Sequence, residues 1–156
     1  MDHEAGMRVA IEQARKGIAA GQTPFGASIV RNGSLVAAGH NEVWHRSDPT
    51  AHAEVLAIRR AAEQLSSIDL SGCVIYATCE PCPMCAAAIH WAKLDAVHFG
   101  ATIADAHRAG FTELTLPAST LYEQGGSGVS LICGPLNTEC IALFDEWLAR
   151  SDHRAY

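Results

Sequence analysis

His52-Ala53-Glu54 and, further along, Pro81-Cys82-Pro83-Met84-Cys85 are the two short runs that decide how this chain reads. One imidazole and two thiolates make three protein ligands for a zinc ion. Three ligands leave the fourth tetrahedral corner to water, which is the pattern of a hydrolytic centre and not of a closed structural one. Glu54, just past the histidine, is a carboxylate placed to carry that water's protons. Cys82 and Cys85, spaced i, i+3 at the start of a helix, put both sulfurs on one face. The free N–H groups and positive dipole end found there favour thiolate over thiol. Two thiolates against a divalent ion leave the centre roughly neutral, and zinc in such a site lowers the pKa of its water toward ~7.

Working outward, each run sits at the mouth of a predicted helix. Thr50 can cap a helix to about Leu65, with Val55, Leu56, Ile58 and Ala62 on its buried side. Pro83, well placed in a first turn, opens a second helix through about Ala92. Between them Cys73 to Thr78 is a short apolar, β-branched run, the mark of an internal strand. Ahead of both, Glu4 to Ala20 is an amphipathic helix stopped by Gly21. Ala27–Arg31 and Leu35–Ala38 form a hairpin around Asn32-Gly33. Ala96–Gly100 and Val129–Cys133 are further strands, Asn137–Arg150 is a closing helix, and Ala104–Gly128 reads as loop and short helix beside the site. Strands alternating with helices predict an α/β layered sheet.

These motifs resemble the cytidine and deoxycytidylate deaminase superfamily, whose signature is H-x-E followed by P-C-x-x-C. Thr23-Pro24-Phe25-Gly26-Ala27, Asp48-Pro49-Thr50-Ala51-His52-Ala53-Glu54 and Cys79-Glu80-Pro81-Cys82-Pro83-Met84-Cys85 carry the resemblance. It runs from about Thr23 to Phe111, more loosely to the C-terminus, and is strongest to the guanine deaminase branch. It implies a three-layer α/β/α cytidine-deaminase-like fold with a central mixed five-stranded sheet. It further implies Zn2+ held by His52, Cys82 and Cys85, zinc-bound hydroxide as nucleophile, and Glu54 as proton shuttle. The Cys82 backbone N–H is implied as a donor to the zinc-bound oxygen.

For the substrate, the resemblance places Phe25 (ring stacking), Asn41 (base-holding amide), Ala53, Trp91, Glu113 and Tyr156 around a small heterocyclic base. In the guanine branch a Gly-Phe-Asp-Asp run sets a carboxylate against the purine. Here the run is Gly110-Phe111-Thr112-Glu113, so Glu113 keeps the charge on a longer arm and Thr112 loses one carboxylate. The branch also ends in a tyrosine that reaches a neighbouring subunit's site. Tyr156, closing His153-Arg154-Ala155-Tyr156, is the match, and it implies a homodimer with the tail from about 150 to 156 exchanged. The expected reaction is guanine to xanthine plus ammonia. A tRNA adenosine deaminase (A to I), or a deaminase of guanosine, cytosine or a triazine, remains an alternative on the same motif.

A closed knot in which Cys79 joins His52, Cys82 and Cys85 would instead make a non-catalytic zinc module. It leaves Glu54 without a task. Cys73, Cys79, Cys133 and Cys140 read more simply as small hydrophobes. The remaining histidines lack partners at metal spacing. At 156 residues, with 49% hydrophobic and 18% charged content, the chain is expected to be one domain, residues 1–156, with a buried core. The net charge of −6 and the scatter of its eleven basic residues speak against a nucleic-acid partner. No apolar run reaches the length of a membrane span and Met1-Asp2-His3-Glu4 lacks a secretory signal, so a cytoplasmic location with reduced thiols is expected.

Overall fold

The computed structural model describes residues 1–156. Helix α1 (His3–Ala19) opens with Asp2, whose carboxylate accepts the Ala5 N–H at 2.8 Å. Met7, Ala10, Ile11, Ala14 and Ile18 line its buried stripe, as the spacing predicts. Strands β1 (Gly26–Arg31) and β2 (Ser34–His40) pair antiparallel across Asn32-Gly33. Both turn residues take positive φ, 50° and 73°, the geometry for which Asn-Gly is suited.

A short helix α2 (Val43–Arg46) leads to α3 (Ala53–Leu65), β3 (Cys73–Cys79), α4 (Pro83–Trp91) and β4 (Ala96–Ala101). Two further short helices, α5 (Ile103–Arg108) and α6 (Ala118–Gly125), fill the stretch expected to be loop and short helix. Strand β5 (Ser130–Cys133) and helix α7 (Asn137–Leu148) follow.

The five strands lie in the order β2-β1-β3-β4-β5. Strands β1 and β3 run antiparallel, while β3, β4 and β5 are parallel, so the sheet is mixed. Helices α1 and α7 pack on one face and α3 and α4 on the other, giving three layers. Strand β1 is buried on both faces except at Arg31, because helices cover it from both sides. Gly26 shows how close α1 lies: a Cβ there would collide with the Ala10 carbonyl oxygen and the Ala14 backbone nitrogen. Ser28, on the same side of the strand, donates its hydroxyl to the Gly6 carbonyl at 2.8 Å. No helix is long and apolar enough to cross a membrane.

The architecture puts chemistry at one end. Strand β3 runs out at Cys79 and turns directly into α4, while α3 starts alongside. Two helix N-termini therefore meet beyond the carboxyl end of β3, the edge at which open α/β sheets bind ligands.

Candidate metal centre and substrate cavity

His52 and Cys82 each occupy the residue just before their helix, in extended backbone, and neither side chain makes a capping hydrogen bond. The expectation that Thr50 caps α3 is corrected here. The Thr50 hydroxyl instead donates to Asp48 Oδ1 at 2.7 Å in a tight local turn, and His52 holds the cap position. Its imidazole is turned to the sulfurs. Nδ1 lies 3.7 Å from Cys82 Sγ and 3.5 Å from Cys85 Sγ. Tetrahedral zinc with ordinary Zn–N and Zn–S bonds separates such ligands by about 3.6 Å. The three ligand atoms all lie within 4.8 Å of one another, so the donor set is already spaced for the ion.

The charge pattern points the same way. Cys82 is drawn down to about 4 by the hydrogen bond from Cys85 and by His52. Burial opposes charge on His52, but its bond to Cys82 and the nearby Glu54 and Glu113 outweigh burial and raise it. Glu54 is buried, and burial together with the Cys82 charge pushes its carboxyl up. Glu113 is lifted to about 7, first by burial and then by Cys82 and Glu54. Two carboxylates and a thiolate thus crowd one small space, an arrangement that a divalent cation relieves.

Cys79 does not join them. Burial holds its thiol well above the ordinary range, and its S–H donates to the Thr102 carbonyl at 3.5 Å. With three ligands and not four, the closed knot is not formed.

The cavity over these ligands is lined by Phe25, Asn41, Glu54, Glu113 and Tyr156, and also by Cys79 and Glu80. Phe25 is fixed edge-on between Phe111 at 4.9 Å and Phe144 at 5.9 Å, so its ring cannot swing freely. Asn41 is wholly buried; its Oδ1 accepts the Val43 N–H at 3.1 Å and its Nδ2 donates to the Tyr156 hydroxyl at 2.7 Å. Glu113 Oε2 is buried with no hydrogen-bond partner. Such an orphan acceptor is costly unless a ligand supplies its donor.

Tyr156 lies across its own chain's site, 5.7 Å from the His52 ring and 5.7 Å from Phe111. Behind the tyrosine the remaining free space is about 10 Å³, room for about one water. A wider, open pocket of about 260 Å³ also reaches His52, Cys82, Glu113 and Tyr156 and is bounded by Pro49, Pro83, Met84 and Leu114.

Two expected substrate contacts sit elsewhere. Ala53 is buried as the first residue of α3 and does not line the cavity. Trp91 is 81% exposed at the far end of α4, beside His90, Leu121 and Tyr122, away from this chain's own cavity. Helix α4 starts at the metal ligands, and a rise of about 1.5 Å per residue carries Trp91 about 13 Å away from Cys82. Glu80 and Trp44 went unread in the sequence. Glu80 accepts the Ala118 N–H at 3.0 Å and the Ile103 N–H at 3.4 Å, fixing the starts of α6 and α5 beside the cavity. Its place inside the Cys79–Cys85 run was the available signal. Trp44, three residues past Asn41, contacts Tyr156 edge-on at 6.4 Å.

Comparison with known proteins gives a consistent picture. A family model for the cytidine and deoxycytidylate deaminase zinc-binding region matches residues 1–101. Guanine deaminase of Bacillus subtilis is 47% identical over 114 residues, 72% of this chain and 73% of that protein. The tRNA-specific adenosine deaminase of Aquifex aeolicus is 41% identical over 101 residues, 65% of this chain and 67% of that protein. Among solved structures, guanine deaminase from Nitrosomonas europaea superposes with a TM-score of 0.88 at 31% identity, covering 96% of this chain and 86% of its own.

Proposed function

We propose that this chain, a zinc-dependent aminohydrolase that belongs to the cytidine and deoxycytidylate deaminase family, hydrolyses the exocyclic amine of a small free nucleobase, guanine first. The observation that carries the reading is the cavity itself: a buried amide and an orphan carboxylate beside the metal ligands, in a small space partly covered by the chain's own tail. An RNA loop would have to displace residues 154–156 and meet a net charge of −6, whereas a flat base needs only a transient opening.

The residues present suit zinc, held by His52, Cys82 and Cys85. Zinc supplies a Lewis acid that makes water a nucleophile near neutral pH. The protein moves the protons. Glu54, already raised by burial, takes one from the attacking water and passes it to ring N3, which makes C2 electrophilic. It then takes the second and delivers it to the 2-amino group, which leaves as ammonia, so guanine and water give xanthine and ammonia. The Cys82 backbone N–H, at the positive mouth of α4, is assigned to the developing oxyanion.

Asn41 Nδ2, released when Tyr156 moves, donates to an acceptor on the base. Glu113 Oε2 accepts from the ring N1–H, which gives that oxygen the partner it lacks. Phe25 stacks on the ring. Exclusion of bulk water by Tyr156 strengthens each of these contacts. A homodimer is part of this proposal on family grounds.

The test is ammonia release from guanine, guanosine, cytosine, adenine, a triazine amine and a tRNA anticodon stem-loop, each with zinc-loaded protein. Guanine should dominate. Turnover of the stem-loop alone would make this a tRNA deaminase, the reading its 41% identical relative supports.

A further inference from the structure

Glu113 stands at a junction. It lines the small cavity with Phe25, Asn41 and Glu54. It also lines the open pocket of about 260 Å³, whose outer wall is Pro49, Pro83, Met84, Thr112 and Leu114. His52, Cys82 and Tyr156 border both spaces, so the two meet at the metal ligands.

The pocket has a definite chemistry. Two prolines, a thioether and a leucine make its outer wall apolar, and Leu114 is 70% exposed there. A single exposed leucine means little, but a concave apolar group beside a reactive centre suits an apolar part of a ligand. No lysine or arginine lines either space, so nothing is present to neutralise a phosphate. A sugar's hydroxyls would meet few polar partners on that wall. The space, against about 30 Å³ for a water-sized group, easily takes a short alkyl chain.

The junction adds a polar requirement. Glu113 Oε2 is buried without a partner, so the ligand must bring an N–H to it. A secondary exocyclic amine brings both parts at once: its N–H for the carboxylate, and its alkyl chain for the pocket. Thr112, on the same wall, offers a hydroxyl to the neighbouring ring nitrogen.

We propose that the Thr112–Leu114 wall is a substituent subsite, which extends the substrate class to diamino heterocycles whose second amine, one ring nitrogen away from the hydrolysed one, carries a short alkyl chain. In a 6-alkylamino-2-aminopurine, water replaces the 2-amino group, which leaves as ammonia, and the 6-alkylamino group is retained. The exocyclic N–H takes the place of the guanine N1–H at Glu113. The inference rests on the function proposed above for where the ring lies.

The test is steady-state ammonia release by the zinc-loaded full chain from the methyl, ethyl, propyl and butyl members of this purine series. KM should fall about two- to fourfold per methylene, the worth of a CH2 partly to wholly buried, while kcat stays level because the chain is remote from the reacting carbon. Leu114→Asp should flatten that slope. The slope compares ligands on one protein, so general damage to the variant cancels. Met84→Asn gives the same comparison from the opposite wall. The 6-dimethylamino compound, with one carbon more and no N–H, should have a KM at least about tenfold above that of the methylamino compound.

A flat or rising KM series in the wild type would overturn the subsite, as would a slope that survives both variants. A dimethylamino compound as good as the methylamino one would remove the Glu113 contact from it. Guanine turnover beside a flat series sinks the subsite alone. Turnover of the alkylamino series without guanine sinks only the choice of guanine, and no ammonia from any of them sinks both.

Discussion

Replacing Glu113 by glutamine should make the zinc-free protein more stable and the zinc-loaded enzyme worse. The carboxyl is lifted from 4.5 to about 7 by burial and by the charges of Cys82 and Glu54. Between those two values the folded chain holds a proton that the unfolded chain has lost. Stability therefore falls as pH rises through that window and levels above it. At about 1.4 kcal/mol per unit, the burden on the native state at pH 8 is at most about 3 kcal/mol, and it vanishes at pH 4. Glutamine keeps the shape without the charge.

Urea unfolding in the presence of chelator, from pH 4 to pH 8, measures this directly. The variant-minus-wild-type difference should start near zero and grow toward that ceiling. Guanine turnover should move the other way: loss of a charge-assisted hydrogen bond costs about 1.5–3 kcal/mol, or about 10–150-fold in kcat/KM. A structural carboxylate would not show this opposition. Parallel pH profiles for the two proteins would refute the burial argument, and unchanged kcat/KM would remove Glu113 from the substrate.

Glu54→Gln should retain one zinc per chain by atomic absorption while turnover falls about 10²–10⁴-fold, the usual worth of a positioned acid–base group; normal turnover would take the proton shuttle away from Glu54. Cys79→Ser should keep zinc content and affinity unchanged, because Cys79 bonds the Thr102 carbonyl and not the metal ligands. Cys82→Ser, by contrast, should lose the ion. Trp91→Ala should leave kcat/KM within about twofold, as expected of an exposed surface residue; a tenfold loss would mean that Trp91 reaches a site from a partner subunit.

The elements of the fold were legible because each carries its own local code. Asn32-Gly33 fixes the hairpin, Gly21 ends α1, Pro83 starts α4, and the apolar, β-branched run Cys73–Thr78 has the composition and length of an internal strand. The metal ligands were legible because their spacing is a covalent fact that folding only has to bring together. What failed to read was what depends on distance through space. Trp91 matched a family position, and nothing local reveals that it stands at the far end of a nine-residue helix, away from this chain's own cavity. Glu80 and Trp44 act through partners at residues 103, 118 and 154, far along the chain. Thr50 misled for a different reason. It has the chemistry of a cap, but Asp48 offers its hydroxyl a nearer acceptor.

That last error exposes how the centre is built. A helix start leaves several N–H groups without partners, and a capping side chain normally supplies one acceptor at a gain of about 1 kcal/mol. Helices α3 and α4 both forgo that bond, giving the cap position to His52 and to Cys82. The cost is borne twice within one small space, and both side chains turn inward to the same point. Uncapped N-termini keep their positive ends, which favour any oxyanion forming beside them and add to the hydrogen bonds from Cys85 and His52 that hold Cys82 as thiolate. Capping α3 at Thr50 would begin the helix earlier and rotate His52 away from the sulfurs. The sacrifice of two caps is thus the same structural fact as the metal centre, and Glu54 lies on the inner face of α3 because the helix starts where it does.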